Sequence, residues 1–350
     1  MYTREILAHI NSPIQNGLAV QGTWNTPFDI VDLKKLTKPF FIKLPQWVLK
    51  FFIKEWQNFY IQEGDFYLTA FIADMKYFSF VELFFLDKNS GNTIQDFKIF
   101  PFSKWKSVNN LKNTNISADT SDFSFKVHNW LDSHSVRLDI DIAATFDTLN
   151  FTAQLEFDFD VLKSTPLCVN LLCAENRCLY TYKELSAVRG RIIWGEKRIV
   201  LHRKTSTGLF CDNKGYYPIK SKLSYCSAFW KDENGQTIGF SLCEKKTKNK
   251  NENNENVLWV NGIITALPAI RITQVQDGEN SEWIIQDLEG MVDLTFRPKK
   301  KFENKFSVFL SNFEHKIPMG CFNGVILDSC GNAVKLHNFF GVAEIIDFRI

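Results

Sequence analysis

The chain of 350 residues carries 41 Lys plus Arg against 39 Asp plus Glu, a formal charge of +2, with 45% hydrophobic and 23% charged residues. Its length admits one large or two ordinary domains around a buried core, and its composition excludes wholesale disorder. The near-balance of charge gives no electrostatic case for nucleic acid or an anionic membrane as the main partner.

In chain order, Met1 to Pro13 carries Arg4, Glu5 and His9 and has no unbroken apolar stretch, unlike a secretory signal peptide. Gln46 to Phe59 is the best helix candidate, with Trp47 and Phe51, then Val48, Phe52 and Trp56, at helical spacing. Phe66 to Ala73 is among the longest apolar runs, far short of the roughly 20 residues that span a bilayer. The expectation is a cytoplasmic protein with no integral membrane association and with reduced cysteines.

From Phe123 onward the pattern is period two. Val136, Leu138, Ile140 and Ile142 alternate with charged residues, as do Phe151, Ala153, Leu155 and Phe157 with polar ones. Side chains along a strand point to alternate faces, so these segments read as antiparallel sheet with one wet face. Turn residues at 87–91, Gly195-Glu196, Asp232 to Gly235, Asn261-Gly262, Asp277-Gly278 and Asp328 to Gly331 separate the strand-like runs. The least periodic joint lies at Asn176 to Ser186. It divides the chain into 1–180 and 181–350. Lys245 to Asn256 reads as an exposed loop. Val342, Glu344 and Ile346 share one face of the terminal strand, and Arg349 projects to the other.

Phosphate-binding glycine loops, a serine-hydrolase elbow and a zincin helix are all missing from the sequence. Cys168, Cys173 and Cys178 stand five apart, not in a zinc-binding arrangement, so neither metal nor cofactor is expected. What stands out is polar residues embedded among aromatics, where burial is costly unless they are paired or used. They are Lys54-Glu55-Trp56 with Tyr60, Asp74, Tyr180-Thr-Tyr-Lys183, Asp212 with Tyr216-Tyr217, and Asn254-Glu255-Asn256.

These same residues carry a resemblance. Tyr180 to Lys183, Gly190, Asp212, Gly215, Pro218, Glu255-Asn256 and Asp293 to Pro298 are similar to an uncharacterised bacterial family, domain of unknown function 2804. His315, Gly320, Phe322, Gly324 and Gly341 to Glu344 continue the similarity, with Lys54 to Trp56, Tyr60, Asp74 and Tyr77 upstream. The chain departs from the family at Tyr216, Leu223, Tyr225 and Ile350, where tryptophans are usual. The resemblance implies two lipocalin-like β-barrels in tandem, grouped distantly with carotenoid hydratases and tocopherol-cyclase-like enzymes. The fold expected is therefore all-β with little helix.

Three functions are open: binding of an isoprenoid or acyl lipid in a barrel cavity, acid-catalysed hydration or cyclisation of an isoprenoid alkene, or an interaction protein with a filled core. Trp56, Tyr60, Tyr216, Tyr217 and Tyr225 are expected to line one cavity, since aromatics with polar tips suit a mostly apolar pocket. Asp212 and Glu255 are the candidate acids, at least one of them facing that cavity with Asn256 near enough to orient it. A general acid needs a pKa raised by burial.

Overall fold

The computed structural model describes residues 2–350 except 106–107, 145–148, 233–234 and 278–279, and it is all-β, with two curled antiparallel half-barrel sheets in tandem. The first sheet runs Thr93–Pro101, Phe78–Asp87, Phe66–Asp74, Lys54–Glu63, Thr207–Gly215, Arg177–Trp194, Phe151–Asp158, Ser135–Ile142, Phe123–Trp130, Thr114–Asp119. The second runs Ile263–Ala266, Val257–Val260, Thr237–Glu244, Lys220–Lys231, Ala333–Arg349, Ser311–Leu327, Val292–Val308, Asn280–Asp287, Ile270–Asp277. No helix among the described residues is long and apolar enough to cross a membrane.

The two kinds of strand follow from what covers each face. Ser135–Ile142 and Phe151–Asp158 bury every second residue and leave the other face wet, as their alternation predicts. Phe78–Asp87 is buried at every position. Its Val81, Leu83 and Phe85 fill the first half-barrel, while Phe78, Phe80 and Phe84 face the second sheet. A strand covered on both sides reads as a continuous apolar run.

This double burial explains two corrections to the sequence reading. The helix covers only Gln46–Phe52, and the chain continues as the strand Lys54–Glu63. Trp56 faces one side and Phe59 the other, so aromatic residues on both faces imitate helical spacing. The joint expected at 180 falls inside the strand Arg177–Trp194, which pairs with Thr207–Gly215 over Leu179 to Ala187. The sheets part between Gly215 and Lys220 instead. Tyr180 to Leu185 is extended but carries large side chains on both faces, which erases the period-two signal.

Turn chemistry holds at Asn261-Gly262, where φ values of 51° and 81° close a two-residue hairpin between Val260 and Ile263. Parts of the Asp232 to Gly235 and Asp277-Gly278 turns lie outside the described residues. Lys246 and Lys248 to Glu252 are exposed as expected, but the loop's ends are not: Lys245, Asn254, Glu255 and Asn256 are buried.

Candidate functional site

Asp212 lies mid-strand in Thr207–Gly215, opposite Gln57 on one side and Tyr182 on the other. Phe210 on the same face packs into the first half-barrel, so parity turns Asp212 inward as well. There it lines a cavity of about 50 Å³ with Phe28, Val31, Leu111, Leu131 and Tyr180. Gln57 Nε2 donates to Asp212 Oδ1 at 2.9 Å. The Gln57 Oε1 acceptor has no hydrogen-bond partner among the described residues. Burial pushes the Asp212 carboxyl up to about 7, against the opposing pull of Gln57 and Lys214. At neutral pH this group exists in both protonation states, the condition for moving a proton in either direction.

The cavity wall is held by ions. Lys214 Nζ donates to the Val108 carbonyl at 2.8 Å and to Asn109 Oδ1 at 3.0 Å, tying the outer loop to the strand that bears Asp212. Lys214 also lies 3.4 Å from Glu55, which with Asp74 pairs with the buried Lys76. Beside Asp212, the Tyr182 hydroxyl donates to Glu184, whose carboxyl burial pushes up to about 8. The first half-barrel thus holds two carboxyls able to stay protonated near neutrality.

The other expected residues are divided by the sheet itself. Trp56, Tyr217 and Tyr225 share one cluster between the two sheets, Trp56 and Tyr217 with ring centroids 4.9 Å apart. Tyr60 lies in a neighbouring cluster on the same side. Tyr216 is on the opposite side, in the first half-barrel core, its hydroxyl donating to the Leu33 carbonyl at 3.0 Å. One cavity does not gather all five, because the chain leaving the strand at Gly215 packs Tyr216 into the first half-barrel core and Tyr217 between the sheets.

Glu255 is also between the sheets, 3.0 Å from Lys245 and 3.7 Å from Lys183. Burial alone would raise its carboxyl, but the two ammonium groups overcome that and hold it down at about 2. It is an ionised partner for two buried lysines, unsuited to give up a proton. Asn256 is equally committed, accepting from the Cys243 amide at 2.6 Å and donating to the Pro268 carbonyl at 2.7 Å. It does not orient Asp212.

A third group includes His315, which the sequence marked only through the family resemblance and not as a site residue. His315 is fully buried between Phe71, Phe84 and Phe313. Its Nδ1 meets Glu82 Oε2 at 2.5 Å, and its Nε2 lies 3.9 Å from Glu344 Oε2. The Tyr60 hydroxyl donates to the same Glu344 oxygen at 2.9 Å. Burial would lower the imidazole's pKa, yet the two carboxylates carry it up to about 9, so it is charged at neutrality. Glu82 inside the apolar run Phe78 to Leu86 was the available signal. Among the described residues no His, Cys, Asp and Glu cluster could hold a metal ion.

Fold and site together define a tandem half-barrel protein with a protonatable carboxyl inside one barrel and a buried ionic seam between the two. The chain belongs to the family described as domain of unknown function, DUF2804, whose family model matches residues 13–349. No curated protein matched the sequence. Among solved structures, CghA with Sch210972 is similar at a TM-score of 0.56 and 10% identity, over 90% of this chain and 92% of that one. Another structure of CghA gives 0.55 and 12%, over 99% and 97%. Kievitone hydratase from Nectria haematococca gives 0.50 and 11%, over 84% and 88%. At these identities the likeness is one of fold.

Proposed function

We infer that the protein binds a small hydrophobic molecule with its reacting end at Asp212, and that Asp212 protonates an alkene there in a hydratase- or cyclase-like reaction. The arrangement that carries this reading is the Asp212 carboxyl on the wall of a mostly apolar cavity, whose lining also includes Asn109, Asn110, Lys112 and Asp132, with burial raising the carboxyl's pKa to about 7. A cavity of about 50 Å³ takes a reacting group and a water, not a whole isoprenoid. The remainder of such a ligand would lie along the cleft between Pro27 and Val31 on one side and Val108 and Lys112 on the other.

The step balances simply. The Asp212 proton joins one alkene carbon through the π electrons, leaving a cation on the other. Water adds to that cation, and the proton it sheds restores the carboxyl. The faces of Phe28 and Tyr180 on the same cavity would favour the developing positive charge. The similarity in fold to a protein named as a hydratase is in keeping with this reading.

The test begins with native mass spectrometry and solvent extraction of purified protein to find the bound molecule. Turnover of that molecule, and of a panel of prenyl alkenes, is then followed in D2O, where alkene protonation leaves deuterium on carbon. The wild type should incorporate label, and Asp212→Asn should lose it by about 100-fold or more. The variant should also gain about 2 kcal/mol of stability at pH 8 and nothing at pH 4. The sign follows because a raised carboxyl pKa costs stability only above the unfolded value. Equal labelling by wild type and variant would remove Asp212 from the chemistry.

A further inference from the structure

One end of the molecule is unlike the rest of its surface. The strands Lys54–Glu63, Phe78–Asp87 and Ser311–Leu327 begin there, and Phe66–Asp74, Thr93–Pro101, Thr207–Gly215 and Ala333–Arg349 finish there, as their registers require. The loops and the short helix capping this end expose Phe41, Trp47, Phe102, Ile219, Phe309 and Leu310, from 65% for Phe102 to 93% for Leu310. Phe309 and Leu310 form the two-residue tip of a hairpin between Val308 and Ser311, held out from the body.

Charge follows the same end. Residues 33–54, 101–105, 216–222 and 305–312 contain lysines and no Asp or Glu. Lys35, Lys38, Lys43, Lys50, Lys104 and Lys220 are exposed, and none is in an ion pair among the described residues. The near-neutral whole-chain charge conceals this local excess. Trp47 and Lys50 lie on the helix Gln46–Phe52, with Lys43 in the segment before it, giving a small amphipathic element: its Leu49 is buried, and Phe52 packs on Phe40 with centroids 4.8 Å apart.

We propose that this end is a peripheral docking surface for an anionic lipid membrane, with the aromatic and aliphatic tips entering the headgroup region and the lysines facing lipid phosphates. Exposed apolar tips accompanied by exposed lysines that lack ion-pair partners among the described residues suit that surface. A second copy of the chain does not, since it would bring the same unpaired lysines face to face with no acidic counterpart. The proposal stands on surface residues alone and is independent of the reading of Asp212.

The full chain is tested by co-sedimentation with vesicles of phosphatidylcholine alone and of phosphatidylcholine with about one third phosphatidylglycerol. Binding to the anionic vesicles, weakening with added salt, is the expected result. Phe309→Ser with Leu310→Ser, and separately Lys38→Glu with Lys43→Glu, should each weaken it by about tenfold while leaving the melting temperature unchanged. Failure to bind anionic vesicles at low salt would overturn the proposal. So would wild-type binding by both folded variants, or a solution dimer that Trp47→Ser dissolves.

Discussion

At the scale of single residues, burial and pairing decide which polar groups are poised and which are fixed. Asp212 is a half-buried carboxyl on a cavity wall and Glu255 a fully buried one. Burial pushes both upward; at Asp212 the opposing pull of Gln57 and Lys214 does not reverse it, whereas at Glu255 two ammonium groups bring the carboxyl down. His315 is fixed by Glu82 and Glu344, with the Tyr60 hydroxyl on the second carboxylate. Its folded pKa of about 9 exceeds the ordinary value of 6.5, so its contribution is complete below pH 6.5 and is lost as pH rises to 9. The loss expected over that window is on the order of 3 kcal/mol. Denaturant melts of wild type and His315→Gln from pH 6 to 9.5 measure it. The variant should start less stable and lose less over the window. Parallel curves would mean that the imidazole is neutral in the fold.

At the scale of elements, the legible strands were those with one wet face. Ser135–Ile142 could be read residue by residue, because water on one side imposes alternation. Lys54–Glu63 and Arg177–Trp194 could not, because their second face meets another sheet. The candidate site divides in the same way. Asp212 and Tyr180 were noticed as polar residues among aromatics, yet the cavity wall they share with Phe28 and Leu111 comes from distant segments and leaves no local pattern. His315 was hidden because its partners lie 233 and 29 residues away in sequence. One glycine is legible in hindsight through geometry. Gly190 sits at φ 141°, where Arg177–Trp194 exchanges Thr207–Gly215 for Lys197–Leu201 as its neighbour, and a Cβ there would come within 2.0 Å of the Gln154 carbonyl oxygen. Gly190→Ala should therefore cost about 2–3 kcal/mol in chemical denaturation, by forcing the strand off its partner. A cost below about 0.5 kcal/mol would show that this bend relaxes freely.

At the scale of the whole molecule, the question is whether two sheets behave as two folding units. The backbone separates them cleanly between Gly215 and Lys220, but the side chains do not. Phe71, Phe78, Phe80 and Trp56 from the first sheet share a core with Tyr225, Phe313 and Phe348 from the second. Ionic contacts cross the same seam, Lys183 to Glu255 and Glu82 to His315, and Arg4 near the amino terminus donates to the Asn254 and Asn256 carbonyls. A half released from the other would expose these aromatics and leave buried charges without partners, each such charge costing about 3–5 kcal/mol. Neither half therefore has a stable state in which the other is unfolded. Scanning calorimetry should show a single transition with equal calorimetric and van't Hoff enthalpies. Glu255→Gln should strand Lys183 and Lys245 and lower that transition as one peak, without splitting it. Two resolved peaks in the wild type would mean that the halves fold independently and that the polar seam contributes little to holding them together.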